Sequence, residues 1–248
     1  MFDAVNLPVN EITTEILRNY LADYKSNSSA GMVTIDNIRR TLSSFFAWLE
    51  NEDYIVKSPV RRIHKVKTTR KVKETLTDEN LEKLRDTCSN VRDLAILELL
   101  ISTGMRVGEL TRLNISDMNF QERSCIVLGK GNSEREVYFS AKSKMYIEKC
   151  LETRTDDNEA LFVSLIKPYN RLGISGIEIA IRNLGKKANI NKVHPHKFRR
   201  TMATMAIDKG MPIEQVKKLL GHIKIDTTME YAMVSQNNVK NSHRKYIT

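Results

Sequence analysis

Arg106 and Glu109 stand three residues apart in Thr103-Gly-Met-Arg-Val-Gly-Glu-Leu110, a spacing that puts both on one face of a helix start. Lys130 lies between Gly129 and Gly131, where turn chemistry exposes its ammonium at a tip. His196 and Arg199 are one helical turn apart and share a face. Leu219-Leu-Gly-His222 ends a helix at Gly221 and presents a histidine just beyond it, and Tyr231 follows nine residues later. Other routes to phosphate chemistry are missing. The chain has no G-x-x-x-x-G-K-[ST] loop, no G-x-G-x-x-G after a strand and no H-E-x-x-H. No pair of acids has the spacing to hold a catalytic Mg²⁺ in a basic surrounding, so no metal and no cofactor is expected. Chemistry on a phosphate would lean on side-chain cations and a protein nucleophile.

Each of these residues also has an ordinary reading. Arg106 alone is a surface arginine, Lys130 a hairpin-tip lysine and Tyr231 a half-buried core residue. His222 alone is a cap beside the negative end of a helix dipole. The order of the whole set gives it meaning, and the surrounding elements must bring its members together.

Those elements are mostly helical. Ile12, Ile16, Leu17, Tyr20, Leu21 and Tyr24 recur at helix spacing, as do Ile35, Ile38, Leu42, Phe45, Phe46 and Leu49. Residues 27–31 form a turn between them, and the aromatic residues are expected in a small core rather than on a base-stacking platform. Ser58-Pro59 marks an end, because proline disfavours a helix across the residue before it. A new helix starts where Thr77 can cap and Asp78 and Glu79 suit the positive helix end. Leu94, Leu97, Leu100 and Ile101 mark the next, which ends at Gly104. Residues 125–128 and 135–139 flank the turn around Lys130 as a hairpin, and residues 161–163 suit a short strand. Helices return over 175–188, 196–209, 212–220 and 227–235. The fold class is therefore mainly α with a small antiparallel β-sheet.

Charge narrows the partner. Forty Lys plus Arg against thirty Asp plus Glu give +10, which points towards a polyanion. Eight basic residues and no acidic one fall between Lys57 and Lys73, among them Arg61, Arg62, Lys65, Lys67, Arg70 and Lys71. A second block runs from Arg182 to Lys224 with only Asp208 and Glu214 against it. Two such blocks suit two contact surfaces on a nucleic-acid backbone. Hydrophobic residues make up 41% of the chain, enough for a real core, but no apolar run spans a bilayer. Met1-Phe2-Asp3-Ala4 lacks the layout of a signal peptide, and Cys88, Cys125 and Cys150 fit neither a disulfide scaffold nor a zinc site. A cytoplasmic protein is expected.

From about Glu11 to Tyr231 the chain resembles the tyrosine site-specific recombinases, or phage-type integrases. The resemblance rests on T-G-x-R-x-x-E-L, the glycine-flanked lysine, P-H-x-x-R, L-G-H and the terminal tyrosine, in family order and near family spacing. It implies that Tyr231 attacks a DNA phosphodiester to form a 3′-phosphotyrosine and release a 5′-hydroxyl, without metal or ATP. Arg106 and Arg199 would grip the non-bridging oxygens and Lys130 would protonate the leaving oxygen. His196 would accept or relay the tyrosine proton, His222 would donate to the phosphate, and Glu109 would brace Arg106. Arg200 departs from the pattern, since many members carry a second histidine there.

The implied layout is a partial helical core-binding domain over 1–66, a basic linker over 67–75, and a catalytic domain with a C-terminal tail over 76–248. Members usually have a core-binding domain of four or more helices, and only the later ones are readable before Lys57. The implied partner is double-stranded DNA with a specific core site, bound by a homo-tetramer on two sites, with the free protein mainly monomeric and no membrane involved. Bacterial, archaeal, phage or mobile-element origin fits. Two rival readings are a type IB topoisomerase-like DNA relaxer and a non-catalytic DNA-binding protein on the same fold. The second would lack one or more catalytic residues, and none is missing.

Overall fold

A computed structural model describes residues 6–66, 74–129 and 134–221. The chain divides into two compact units, Met1–Lys71 and Val72–Thr248. The proposed linker over 67–75 falls almost wholly outside the described residues, as do Lys67, Arg70 and Lys71.

The first unit contains α1 (Thr14–Asn27) and α2 (Met32–Asn51). The Thr13 hydroxyl caps α1 by accepting the Ile16 N–H, one of the donors that a helix start leaves unpaired. Leu17 and Leu21 of α1 meet Ile35, Leu42, Phe46 and Leu49 of α2 in one core, closed by Ile12 and Val60. This is the apolar stripe expected from the spacing. The α2 helix stops at Asn51, before Ser58-Pro59, because Asp53 adopts a left-handed φ of 60°. Pro59 instead opens a short 3-10 turn, Pro59–Arg62. Asp36 is buried in α2 and accepts from Arg39 Nε at 2.9 Å and from the Val66 N–H at 3.2 Å. The second bond ties Val66, the last described residue of this unit, to α2. Arg61, Arg62 and Lys65 are all exposed.

The second unit begins with α3 (Asp78–Thr87), capped by Thr77, and α4 (Val91–Thr103), capped by Asn90. From Ala95 to Ile101 every residue of α4 is buried, so this helix is the centre of the unit. It ends on Gly104 at φ 59°, a conformation that costs glycine nothing. Next come the short α5 (Val107–Leu110) and an antiparallel sheet of β1 (Met118–Asn119), β2 (Ser124–Leu128) and β3 (Glu134–Tyr138), in that order. Cys125 pairs with Val137, and both point inward with Val127, while Ile126 and Tyr138 point to solvent. This is the alternation that a one-sided sheet requires.

Helix α6 (Ala141–Glu152) packs against α4. Its periodicity in the sequence is faint, because lysines interrupt its apolar face and only Ile147 and Cys150 provide buried apolar side chains. The expected strand at 161–163 is replaced by single bridges, Asn114 to Ala160 and Val163 to Arg171. Leu161 N–H still bonds Leu113 O and Leu172 N–H bonds Phe162 O, both at 2.9 Å, while guanidinium groups take other carbonyls: Arg154 takes Ala160 O, and Arg92 takes Val163 O at 3.0 Å.

The unit closes with α7 (Ile174–Lys187), α8 (Pro195–Asp208) and α9 (Ile213–Leu220), which pack Ile181, Phe198, Met202 and Val216 into the core. The helix expected at 227–235 lies outside the described residues. Gly185 of α7 lies where a Cβ would stand 2.6 Å from Val193 Cγ2 and 2.7 Å from Val193 Cβ, atoms with little freedom to move. Gly185→Ala is expected to destabilise this unit by about 1–3 kcal/mol through overpacking, despite alanine's better helix propensity. Urea unfolding followed by circular dichroism checks this, and a midpoint at or above that of the parent chain contradicts it.

Candidate active site

Arg106 occupies the N-cap of α5 in extended backbone, and Glu109 is the third residue of that helix. One Glu109 oxygen accepts the Arg106 backbone N–H at 2.7 Å, and the other accepts Arg106 Nη1 at 2.9 Å. The carboxylate thus fills an unpaired helix-start donor and aims the guanidinium at once. The Arg106 side chain is 36% exposed and also reaches towards Gly221 O at 3.5 Å.

Glu109 itself is buried, and its inner side meets Arg135 of β3 in a two-pronged pair at 2.8 and 2.7 Å. Burial pushes the carboxyl upward, but the bonds from Arg135 and from the Arg106 N–H prevail and hold it below the usual carboxylate range. Arg135 also donates Nε to Leu219 O at 3.0 Å, at the end of α9. Arg135 lies outside the sequence motifs, although its place in the strand carries a signal. It shares a face with the buried Val137, two residues on, so it is a cation on the inward side of a strand and needs an acid partner.

Arg199 sits in the first turns of α8 and is only 1% exposed. Its guanidinium donates Nη1 to Gly104 O at 2.7 Å and Nη2 to Leu220 O at 2.5 Å. These are the carbonyl of the α4 cap and that of the last residue of α9. Three elements distant in sequence are therefore tied by one side chain. His196 follows Pro195 at the exposed start of α8. Beside it His194 is pushed below the ordinary histidine range, first by burial and then by the charges of Arg200, His196 and Lys197.

Arg106, Glu109, His196 and Arg199 all line one open cleft of about 740 Å³. Arg112, Arg182 and His194 line it too, and sequence reading had singled out none of the three, although Arg182 opens the second basic block. Leu128 and Gly129, which immediately precede Lys130, form part of the wall. Lys130, His222 and Tyr231 lie outside the described residues. Among the described residues, no cluster of His, Cys, Asp and Glu could hold a metal ion, and no helix is long and apolar enough to cross a membrane. What the described cleft offers is cationic donors converging on an open space, the equipment for gripping a phosphate.

The family model described as "Phage integrase family" matches residues 74–238. The chain belongs to the phage integrase family. This integrase-family chain is similar to a tyrosine recombinase XerC of Oceanobacillus iheyensis, 32% identical over 219 residues, 83% of this chain and 71% of that protein. Among solved structures it resembles XerA recombinase, at 28% identity and a TM-score of 0.64, covering 99% of this chain and 87% of the other. It also shares its fold with the Tn1549 transposon integrase in complex with transposon right end DNA. There the TM-score is 0.80 at 18% identity, over 98% of this chain and 88% of the other. The mainly helical architecture with a small antiparallel sheet is that of a tyrosine recombinase catalytic domain. The chain is a tyrosine recombinase, an enzyme of DNA strand exchange, and neither rival reading is favoured.

Proposed function

We propose that this chain recombines double-stranded DNA at a specific core site, with Tyr231 as nucleophile. The tyrosine oxygen attacks the scissile phosphorus, the bond to the 5′-oxygen breaks, and a 3′-phosphotyrosine forms. His196 takes the phenolic proton and Lys130 gives one to the departing oxygen. Arg106, Arg199 and His222 donate to the non-bridging oxygens, where charge grows in the transition state.

The observation that carries this reading is the convergence of Arg106, His196 and Arg199 on one cleft. A free tyrosine, with a pKa of about 10, is a poor nucleophile at neutral pH. Neighbouring cations favour the phenolate and neutralise the pentavalent transition state. Guanidinium forks suit the task because two donors match two phosphate oxygens. The phosphotyrosine conserves the energy of the broken bond, so the reverse attack by a 5′-hydroxyl rejoins DNA without ATP.

The exposed cations Arg61, Arg62 and Lys65, with Lys67, Arg70 and Lys71 after them in sequence, would contact the DNA backbone. We assign the units to a core-binding piece over 1–66 and a catalytic domain over 76–248, acting in the cytoplasm. The assembly would be a mainly monomeric protein in solution that forms a tetramer on two DNA sites.

The decisive test uses a nicked suicide substrate carrying the native site, in excess EDTA. The expected product is a covalent protein–DNA adduct whose modified peptide, by mass spectrometry, contains Tyr231. An adduct on another residue, or one that forms only when Mg²⁺ is restored, overturns the reading.

A further inference from the structure

We propose that Arg135 is a positioning residue for strand cleavage, holding Glu109, and through it Arg106, in register with the β2–β3 hairpin and the end of α9. The inference rests on the recombinase reading above and assigns to that site a residue outside the motif set.

Three observations carry it. The first is a count of charge. Glu109 is a buried carboxylate whose Oε1 accepts both Arg106 Nη1 and Arg135 Nη1, at 2.9 and 2.8 Å. With Arg106 as sole partner, the carboxylate would cancel the charge that a phosphate has to feel. Arg135 takes up the Glu109 charge with both prongs of its fork, which leaves the group of three with one net positive charge, on the member that faces the cleft. Arg106 can then turn towards a phosphate without abandoning a buried, unpaired carboxylate, an outcome that would be costly.

The second observation is where the remaining donor goes. Arg135 Nε bonds Leu219 O at 3.0 Å, and the Arg135 side chain is only 11% exposed. Its bonds are to protein, so it acts through other groups and not on DNA. In sequence, Leu219 is followed two residues later by Gly221 and then by His222, while Arg135 follows the hairpin turn that carries Lys130. One guanidinium therefore ties together three segments, each adjoining a different member of the proposed catalytic set.

The third is the fit at Gly221. A Cβ there would lie 2.9 Å from Arg135 Cδ and 3.1 Å from its Nε, so the arginine lies flat against the glycine backbone. Gly221 also has a φ of 63°, so the L-G-H glycine meets two needs, a left-handed helix end and the close passage of Arg135.

The test compares the parent chain with Arg135→Lys, which keeps the charge but loses the fork. The measurements are covalent-complex formation at saturating nicked substrate, affinity for intact site DNA, and thermal unfolding. Expected is a fall of about 10²-fold in cleavage rate, the scale of a slightly misplaced reacting group, with DNA affinity unchanged. A second arm, the double variant Glu109→Gln and Arg135→Gln, leaves no unpaired buried charge and guards against failure to fold. It too is expected to bind DNA normally and cleave slowly.

Cleavage at the parent rate by either folded variant overturns the proposal. So does a loss of cleavage that merely tracks the loss of folded protein or of DNA binding. If the parent chain forms no adduct at Tyr231, the recombinase reading itself fails and this inference falls with it. If the parent forms the adduct and Arg135→Lys forms it equally fast, only the inference about Arg135 fails.

Discussion

Tyr231→Phe is expected to yield no covalent protein–DNA complex, while binding of intact site DNA is kept. The substitution removes one oxygen and preserves the ring, so packing and DNA contacts have no reason to change. The loss should be complete, since among the described residues the three thiols are not ready to take over. Burial pushes the Cys125 thiol up to about 12 and the Cys88 thiol up to about 11, and it raises Cys150 as well. All three therefore stay protonated and unreactive at neutral pH. Gel separation of denatured reaction mixtures checks the adduct, and mobility shift at fixed salt checks binding. A residual adduct above the no-enzyme background would mean that the nucleophile lies elsewhere.

Arg199→Ala is expected to remove detectable cleavage and also to cost about 3 kcal/mol or more of stability. The activity loss follows from the proposed grip on the phosphate, and the stability loss from burial. Arg199 is 1% exposed, and its removal strands the carbonyls of Gly104 and Leu220 at the junction of α4, α8 and α9. Arg106→Ala provides the contrast. That side chain is 36% exposed, so cleavage should fall about 10²–10³-fold with the fold intact. Thermal melts alongside suicide-substrate cleavage separate the two. An Arg199→Ala protein with the parent melting temperature would refute the structural half of the claim, and normal cleavage would refute the other.

Much of this was legible in the residues. The stripes along α1 and α2, the caps at Thr77 and Gly104, and the hairpin around Lys130 follow from period, capping chemistry and turn residues. The pairing of Arg106 with Glu109 followed from spacing of three on a helix start. What escaped depended on partners far away in sequence. Arg135 meets Glu109 across 26 residues and Leu219 across 84, and no local pattern announces such bonds. Helix α6 escaped because a helix that packs mainly through Ile147 and Cys150 shows little periodicity. Residues 161–163 border isolated bridges, and Arg92, 71 residues away, takes the Val163 carbonyl, a contact that a reading of β propensity cannot foresee.

The anchoring of Arg199 has a consequence for mutational drift. Both of its described acceptors are main-chain carbonyls, so the guanidinium is indifferent to which side chain occupies either position. Leu220 is fully buried in the core, so a library that varies residue 220 should return active clones among apolar side chains of similar volume. One that varies residue 104 should return almost none, because its φ of 59° suits glycine and a Cβ there would meet the Met202 methyl. Tolerance is governed by backbone shape at residue 104 and by packing volume at residue 220, so directed evolution of this enzyme has more room at the second than at the first.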